Sequence, residues 1–251
     1  MKTFFRFVLY LTGSFAGNGM VVALAATIFS FRCYGQAYTY AQIPLDTFPL
    51  PQGTLVTYVD DQVRGPFPIG FDFCFWGLQY NQVWIGSNGW VGFSAGQPIA
   101  FTPFPLPTLN AFIPKNCIMG PFQDINPGVA GSSPNPLEYV YYRTEGVAPF
   151  RRFIVSWHKA PLYTCIVLLA SQQIILYEST NVIRNSIIRK PTCLGWVNGR
   201  AIHGLHNVNG TDAVVVAGRN ATTWGGNSWV PETWEFYPEI CCPFDGEIFF
   251  Y

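Results

Sequence analysis

A chain of 251 residues with 14 basic and 14 acidic side chains has no net charge, and only 11% of its residues are charged, which excludes the dense cationic surface that nucleic-acid binding requires. Aromatic residues reach 17%, and 24 Gly and 20 Pro punctuate the chain. That composition argues against a helical cytosolic enzyme and for many short strands joined by turns.

Residues 1–36 read as a targeting segment: Lys2 and Arg6 supply positive charge, and an apolar run follows through Val21, Val22, Leu24, Ile28 and Phe29. Small residues around Gly35, Gln36 and Ala37 mark a cleavage point. So long an apolar run also suits a retained membrane anchor, whereas Arg32 before Cys33 disfavours lipid attachment.

The next elements alternate. After a strand over Thr54–Val59, Phe71, Phe73 and Phe75 share one face of a strand spanning Gly70–Trp76, Gly77 breaks the run, and Val83 and Ile85 resume it over Gln82–Ile85. Ser87-Asn88-Gly89 then closes a hairpin onto Trp90–Phe93, with Asn88-Gly89 suited to a type I′ turn because both central residues need positive φ. Between Ser94 and Asn116 a Pro-rich segment reads as an extended crossover whose apolar side chains cap a sheet face. Further strands fall near Glu138–Tyr142, Arg152–His158, Gln172–Glu178, Val182–Ile188, Ala201–Leu205, Ala213–Ala217 and Glu235–Tyr237. The pattern predicts one all-β, antiparallel β-sandwich of jelly-roll type over residues 37–238, with 239–251 as the start of a following domain or a truncated tail. An outer-membrane β-barrel is the rival for so aromatic a chain, but barrel strands alternate over about ten positions, and the Pro-rich crossover breaks that rhythm.

Beyond the targeting segment stand Cys74, Cys117, Cys165, Cys193, Cys241 and Cys242. An even count without Cys-x-x-Cys spacing favours disulfides over metal ligation. If the strands at 152–158, 172–178 and 182–188 are consecutive and antiparallel, Cys165 and Cys193 meet at one end of the sheet and pair. Cys74, flanked by alternating Phe, reads as a small buried hydrophobe, and Cys241 or Cys242 is expected to reach Cys117 or a following domain.

Few residues offer chemistry. His203 and His206 point to opposite faces of a strand and converge on a metal only if it bends. Ser156 and His158 mimic a nucleophile and base, but no Gly-x-Ser-x-Gly elbow or orienting carboxylate accompanies them, and both read as solvent-facing. Asp124 and Asn126 place two oxygen donors close together, which suits calcium; the competing reading is an Asx-turn. Asp60-Asp61 is a second oxygen pair with an equally plain reading as a solvated turn. No other cofactor is indicated. Arg219 could recognise a carboxylate or tie a neighbouring acid, and Asn209-Gly-Thr211 and Asn220-Ala-Thr222 read as turns as well as glycosylation patterns. Trp84, Trp196, Trp224 and Trp229 are candidate platforms for sugar rings, with Trp224 and Trp229 the best pair because a Gly-rich loop joins them.

The aromatic strand, the Gly77 break, Tyr80, the Ser87-Asn88-Gly89 turn and the later Pro121-Phe122-Gln123-Asp124 segment resemble the opening of nidogen-like extracellular domains. Arg151–Trp157, Gln173–Glu178, Lys190-Pro191-Thr192-Cys193 and Gly218–Thr222 with Trp224 are similar to a narrower group, the N-terminal domains of Bacteroidetes cell-surface proteins associated with gliding motility or type IX secretion. The resemblance spans about Ile69 to Pro238. It implies an exported, non-catalytic surface module serving adhesion or gliding, whose partners are the secretion machinery and a cell-surface or extracellular glycan or protein. A carbohydrate-binding or glycan-active unit is the alternative that the aromatics suggest. It also implies a longer parent protein, since such domains precede further repeats.

Overall fold

Period-two alternation lets each strand bury one face, and here it does so in two antiparallel sheets. The computed structural model describes residues 4–15, 20–31, 37–130, 138–226 and 228–239. Two units divide the chain, Met1–Gln36 and Ala37–Tyr251. In the first, β1 (Phe4–Phe15) pairs antiparallel with β2 (Met20–Phe31), Phe4 opposite Phe31 and Phe15 opposite Met20. The expected targeting segment falls on this unit.

The second unit is the sandwich. Its first sheet has the order β3 (Tyr38–Ile43), β15 (Glu232–Pro238), β12 (Ile183–Arg189), β11 (Leu169–Tyr177), β10 (Arg152–Pro161), β9 (Val140–Glu145), β4 (Thr54–Val56). The second runs β14 (Ala213–Thr223), β13 (Arg200–His206), β8 (Cys117–Phe122), β7 (Trp90–Gly92), β6 (Leu78–Gly86), β5 (Val63–Phe75). Each sheet ends on two different strands, so neither closes into a barrel, and the outer-membrane alternative falls. Phe73, Phe75, Ile85 and Ile118 of the second sheet share one buried layer with Phe153, Trp157, Ile174 and Phe236 of the first. Each such side chain contributes about 1.5–3 kcal/mol through its removal from water.

The crossover forms the second apolar layer. Ala100, Leu106 and Ile113 pack with Trp90, Cys117, Met119 and Ile202. Neighbours Val91 and Ile118 belong to the inter-sheet core, so strand alternation sends Trp90, Cys117 and Met119 to the opposite, outer face, which the crossover caps as expected. Asn220 holds it there: its Oδ1 accepts from the Leu106 N–H at 2.7 Å and its Nδ2 donates to the Leu106 carbonyl at 2.7 Å.

Several expectations need correction. Strands β3 and β8 were not anticipated, β8 because it carries Gly120-Pro121 in what reads as a turn. The Ser87-Asn88-Gly89 loop is a three-residue connection, with Gly86 paired to Trp90 and positive φ only at Gly89 (+86°), not a type I′ turn. Ser156 is not solvent-facing: it is buried, and Gln173, which donates to its Oγ at 3.0 Å, also bonds both backbone groups of Phe48, so the segment before β4 covers this face.

Cys165 and Cys193 form the expected disulfide, with a Cα–Cα separation of 5.9 Å. Cys74 is itself disulfide-bonded, which overturns its reading as a small hydrophobe. Cys117 is a free buried thiol that donates to the Pro114 carbonyl at 3.4 Å, which overturns its expected pairing with the tail cysteines. Cys241, Cys242 and the rest of the tail over 240–251 lie outside the described residues.

Candidate functional site

The Ser87-Asn88-Gly89 turn is where separate segments meet. Asn88 is 1% exposed; its Nδ2 donates to Asp61 Oδ1 at 2.7 Å and to the Ala100 carbonyl at 2.8 Å, while its Oδ1 accepts from the Ile125 N–H at 2.8 Å. One amide thus ties the segment before β5, the crossover and the segment after β8. The turn's carbonyls are taken as well. Ser87 O accepts from Trp157 Nε1 across the sandwich at 3.0 Å, and Gly89 O accepts from Gln172 Nε2 at 3.2 Å. A Cβ on Gly89 would collide with the Pro121 carbonyl and stand 2.6 Å from Gln172 Nε2.

That convergence gathers acids. Carboxylate oxygens of Asp60, Asp61 and Asp124 lie within 4.8 Å of one another. Among the described residues none of the three forms a salt bridge. Each has an orienting donor: the Asp61 N–H to Asp60 Oδ1 at 3.1 Å, Asn88 to Asp61 Oδ1, and Trp196 Nε1 to Asp124 Oδ2 at 2.7 Å. Asp124 Oδ1 is buried with no hydrogen-bond partner. Burial pushes the Asp124 carboxyl up to about 7 against the Trp196 donor, and the charges of Asp61 and Asp60 push the same way. Asp60 is raised too, chiefly by burial, with the Asp61 N–H opposing and the Asp61 charge adding. Asn126, the other expected calcium ligand, spends its Oδ1 on the Gly128 N–H at 2.9 Å, an Asx-turn. Pairing Asp124 with Asp60-Asp61 escaped the sequence reading because the contact joins segments distant along the chain.

The tryptophan pair forms a second cluster, beside β12 and β13. Trp224 and Trp229 are half-buried, their ring centroids 5.7 Å apart and their planes tilted by 53°, so they form no flat platform. Their indole N–H groups donate to the Ala201 and Ile187 carbonyls at 3.1 and 3.3 Å. Arg219 sits over both rings and over Trp234, at 4.5, 5.6 and 5.1 Å from the centroids. A break in register between Ile202–Asn220 and Gly204–Val215 aims it inward, where it pairs with Glu232. Of the two readings of Arg219, tying a neighbouring acid is the one this geometry realises.

Buried Lys190 has its Nζ 4.9 Å from the Trp224 centroid. Burial, reinforced by the Arg219 charge, lowers its ammonium to about 7. His203 packs against Trp224, Trp234 and Phe236, and burial together with Arg219 holds it well below the usual imidazole range. His206 serves the crossover instead, accepting from the Thr108 N–H at 3.3 Å through Nε2 with Nδ1 2.8 Å from the Pro114 carbonyl. The two histidines therefore serve opposite faces of β13. The other two platform candidates, Trp84 and Trp196, are half-buried, and Trp196 packs on Tyr163 at 4.8 Å beside Asp124.

Residues 30–228 match the family described as NIDO related. No curated protein and no solved structure matches the chain.

Proposed function

The chain belongs to the nidogen-related family, and on that premise we propose that it is a non-catalytic extracellular module that serves attachment at the cell surface. The family match over residues 30–228 carries this reading. The Cys165–Cys193 disulfide supports it, because such bonds persist in oxidising compartments. The burial of Ser156 and its bond to Gln173 agree with it. Gliding-type adhesion is the finer form of the proposal, with a glycan or protein of the extracellular surface as partner.

The test is binding of the purified, fluorescently labelled chain to intact cells and to extracellular matrix. Saturable binding that unlabelled protein displaces is the expected outcome. Binding that never saturates, or none at all, sinks the attachment role.

A further inference from the structure

Among the described residues no cationic side chain pairs with these three carboxylates, and three of them drawn together need a counter-charge. At separations of a few Å, like charges repel by a few kcal/mol at the effective dielectric of a protein surface, and either a proton or a metal ion can relieve this. The arrangement is built rather than incidental: Asp124 is only 6% exposed, yet its Oδ1 has no hydrogen-bond partner, while Trp196 fixes its other oxygen. A buried carboxylate oxygen left without a donor costs free energy that a ligand can recover. Asp61 is likewise oriented by Asn88, itself buried, and Gly128 packs so closely that an added Cβ would stand 2.8 Å from the Asp60 nitrogen.

We propose that Asp60, Asp61 and Asp124 form a binding site for a hard divalent cation, calcium in an extracellular setting, at the Ser87-Asn88-Gly89 end of the sandwich. The donors are all oxygens and come from two separate chain segments. That donor set suits calcium, which accepts irregular, high-coordinate oxygen shells, better than zinc, which selects imidazole and thiolate. The half-exposed Asp60 and Asp61 leave the remaining positions to water and loop carbonyls. The ion would bridge the segment before β5 to the segment after β8 and fasten the loops at this end. This assignment concerns the ion alone and does not depend on the attachment role.

Terbium, a luminescent stand-in for calcium, tests it on the full chain. Trp196 touches Asp124 and is placed to sensitise emission on excitation of tryptophan. The expected result is saturable emission at one ion per chain, displaced by calcium with a dissociation constant of about 10⁻⁴–10⁻³ M, the range of extracellular calcium modules. Calcium should also raise Tm. Asp124→Asn, which keeps an acceptor for Trp196, should weaken binding at least tenfold, and the double variant Asp60→Asn/Asp61→Asn, on the half-exposed segment, should do the same should the first fail to fold. Trp196→Phe should dim the emission while retaining the calcium-induced rise in Tm. The proposal is overturned by wild-type protein that shows neither emission nor a Tm shift in millimolar calcium, by variants that bind as the wild type does, or by undiminished emission from Trp196→Phe.

Discussion

Asn88 and Gly89 concentrate several constraints in two adjacent residues. Asn88→Ala would strip the Ile125 N–H and the Ala100 carbonyl of their partner, and each orphaned buried group costs about 1–3 kcal/mol. Urea unfolding should therefore show a loss of more than about 2 kcal/mol. Gly89→Ala should be worse, since it adds strain at φ +86° to a collision with Pro121. Two buried ionisable groups make stability depend on pH in opposite senses. Asp124 titrates near 7 when folded and at 3.8 ordinarily. Between those values the folded chain holds a proton that the unfolded chain has lost, so this group's contribution falls as pH rises through the window. The groups facing it are the carboxylates of Asp60 and Asp61 and the indole of Trp196. Lys190 titrates near 7 folded against 10.5 ordinarily. There the unfolded chain binds the extra proton, so stability rises with pH across about 7 to 10.5, and the penalty is complete below 7. Lys190→Met should remove the upper slope and Asp124→Asn the lower one, measured as unfolding free energy against pH. Slopes identical to the wild type would contradict both assignments.

Among the elements, the crossover and the disulfide loop are the parts whose strength is most readily tested. Cys165 and Cys193 are 28 residues apart, and closing a loop of that size restricts the unfolded chain by about 3–4 kcal/mol. Replacing both by Ala should lower stability by that order in denaturant titrations, with the strands around them retained. Asn220→Ala should release Leu106 and expose the crossover to proteolysis before global unfolding, because the crossover has no strand ladder of its own. What the sequence revealed here follows from range. Phe71, Phe73 and Phe75 announced their strand because alternation is local, and Cys165 with Cys193 became legible once three strands were laid side by side. Strand β8 was hidden by Gly120-Pro121, a pair that reads as a turn, and the shift that turns Arg219 inward lies in a stretch with no periodic signature. The acidic cluster was half legible: Asp124 and Asp60-Asp61 each stood out, but their meeting depends on Asn88, which only the folded chain brings to them.

At the largest scale, the sandwich is capped on one outer face by the crossover and on part of the other by the segment at Phe48. The acidic cluster lies by the Ser87-Asn88-Gly89 turn, and the caged Arg219 is held by its own tryptophans and Glu232. The nidogen-related family gives the setting, that of an extracellular module. The most direct measurement is attachment of intact cells under flow, with and without an antibody fragment raised against residues 37–239. The fragment should stain unpermeabilised cells and reduce the number that remain attached. Staining that appears only after permeabilisation, with attachment unchanged, would contradict an extracellular attachment module.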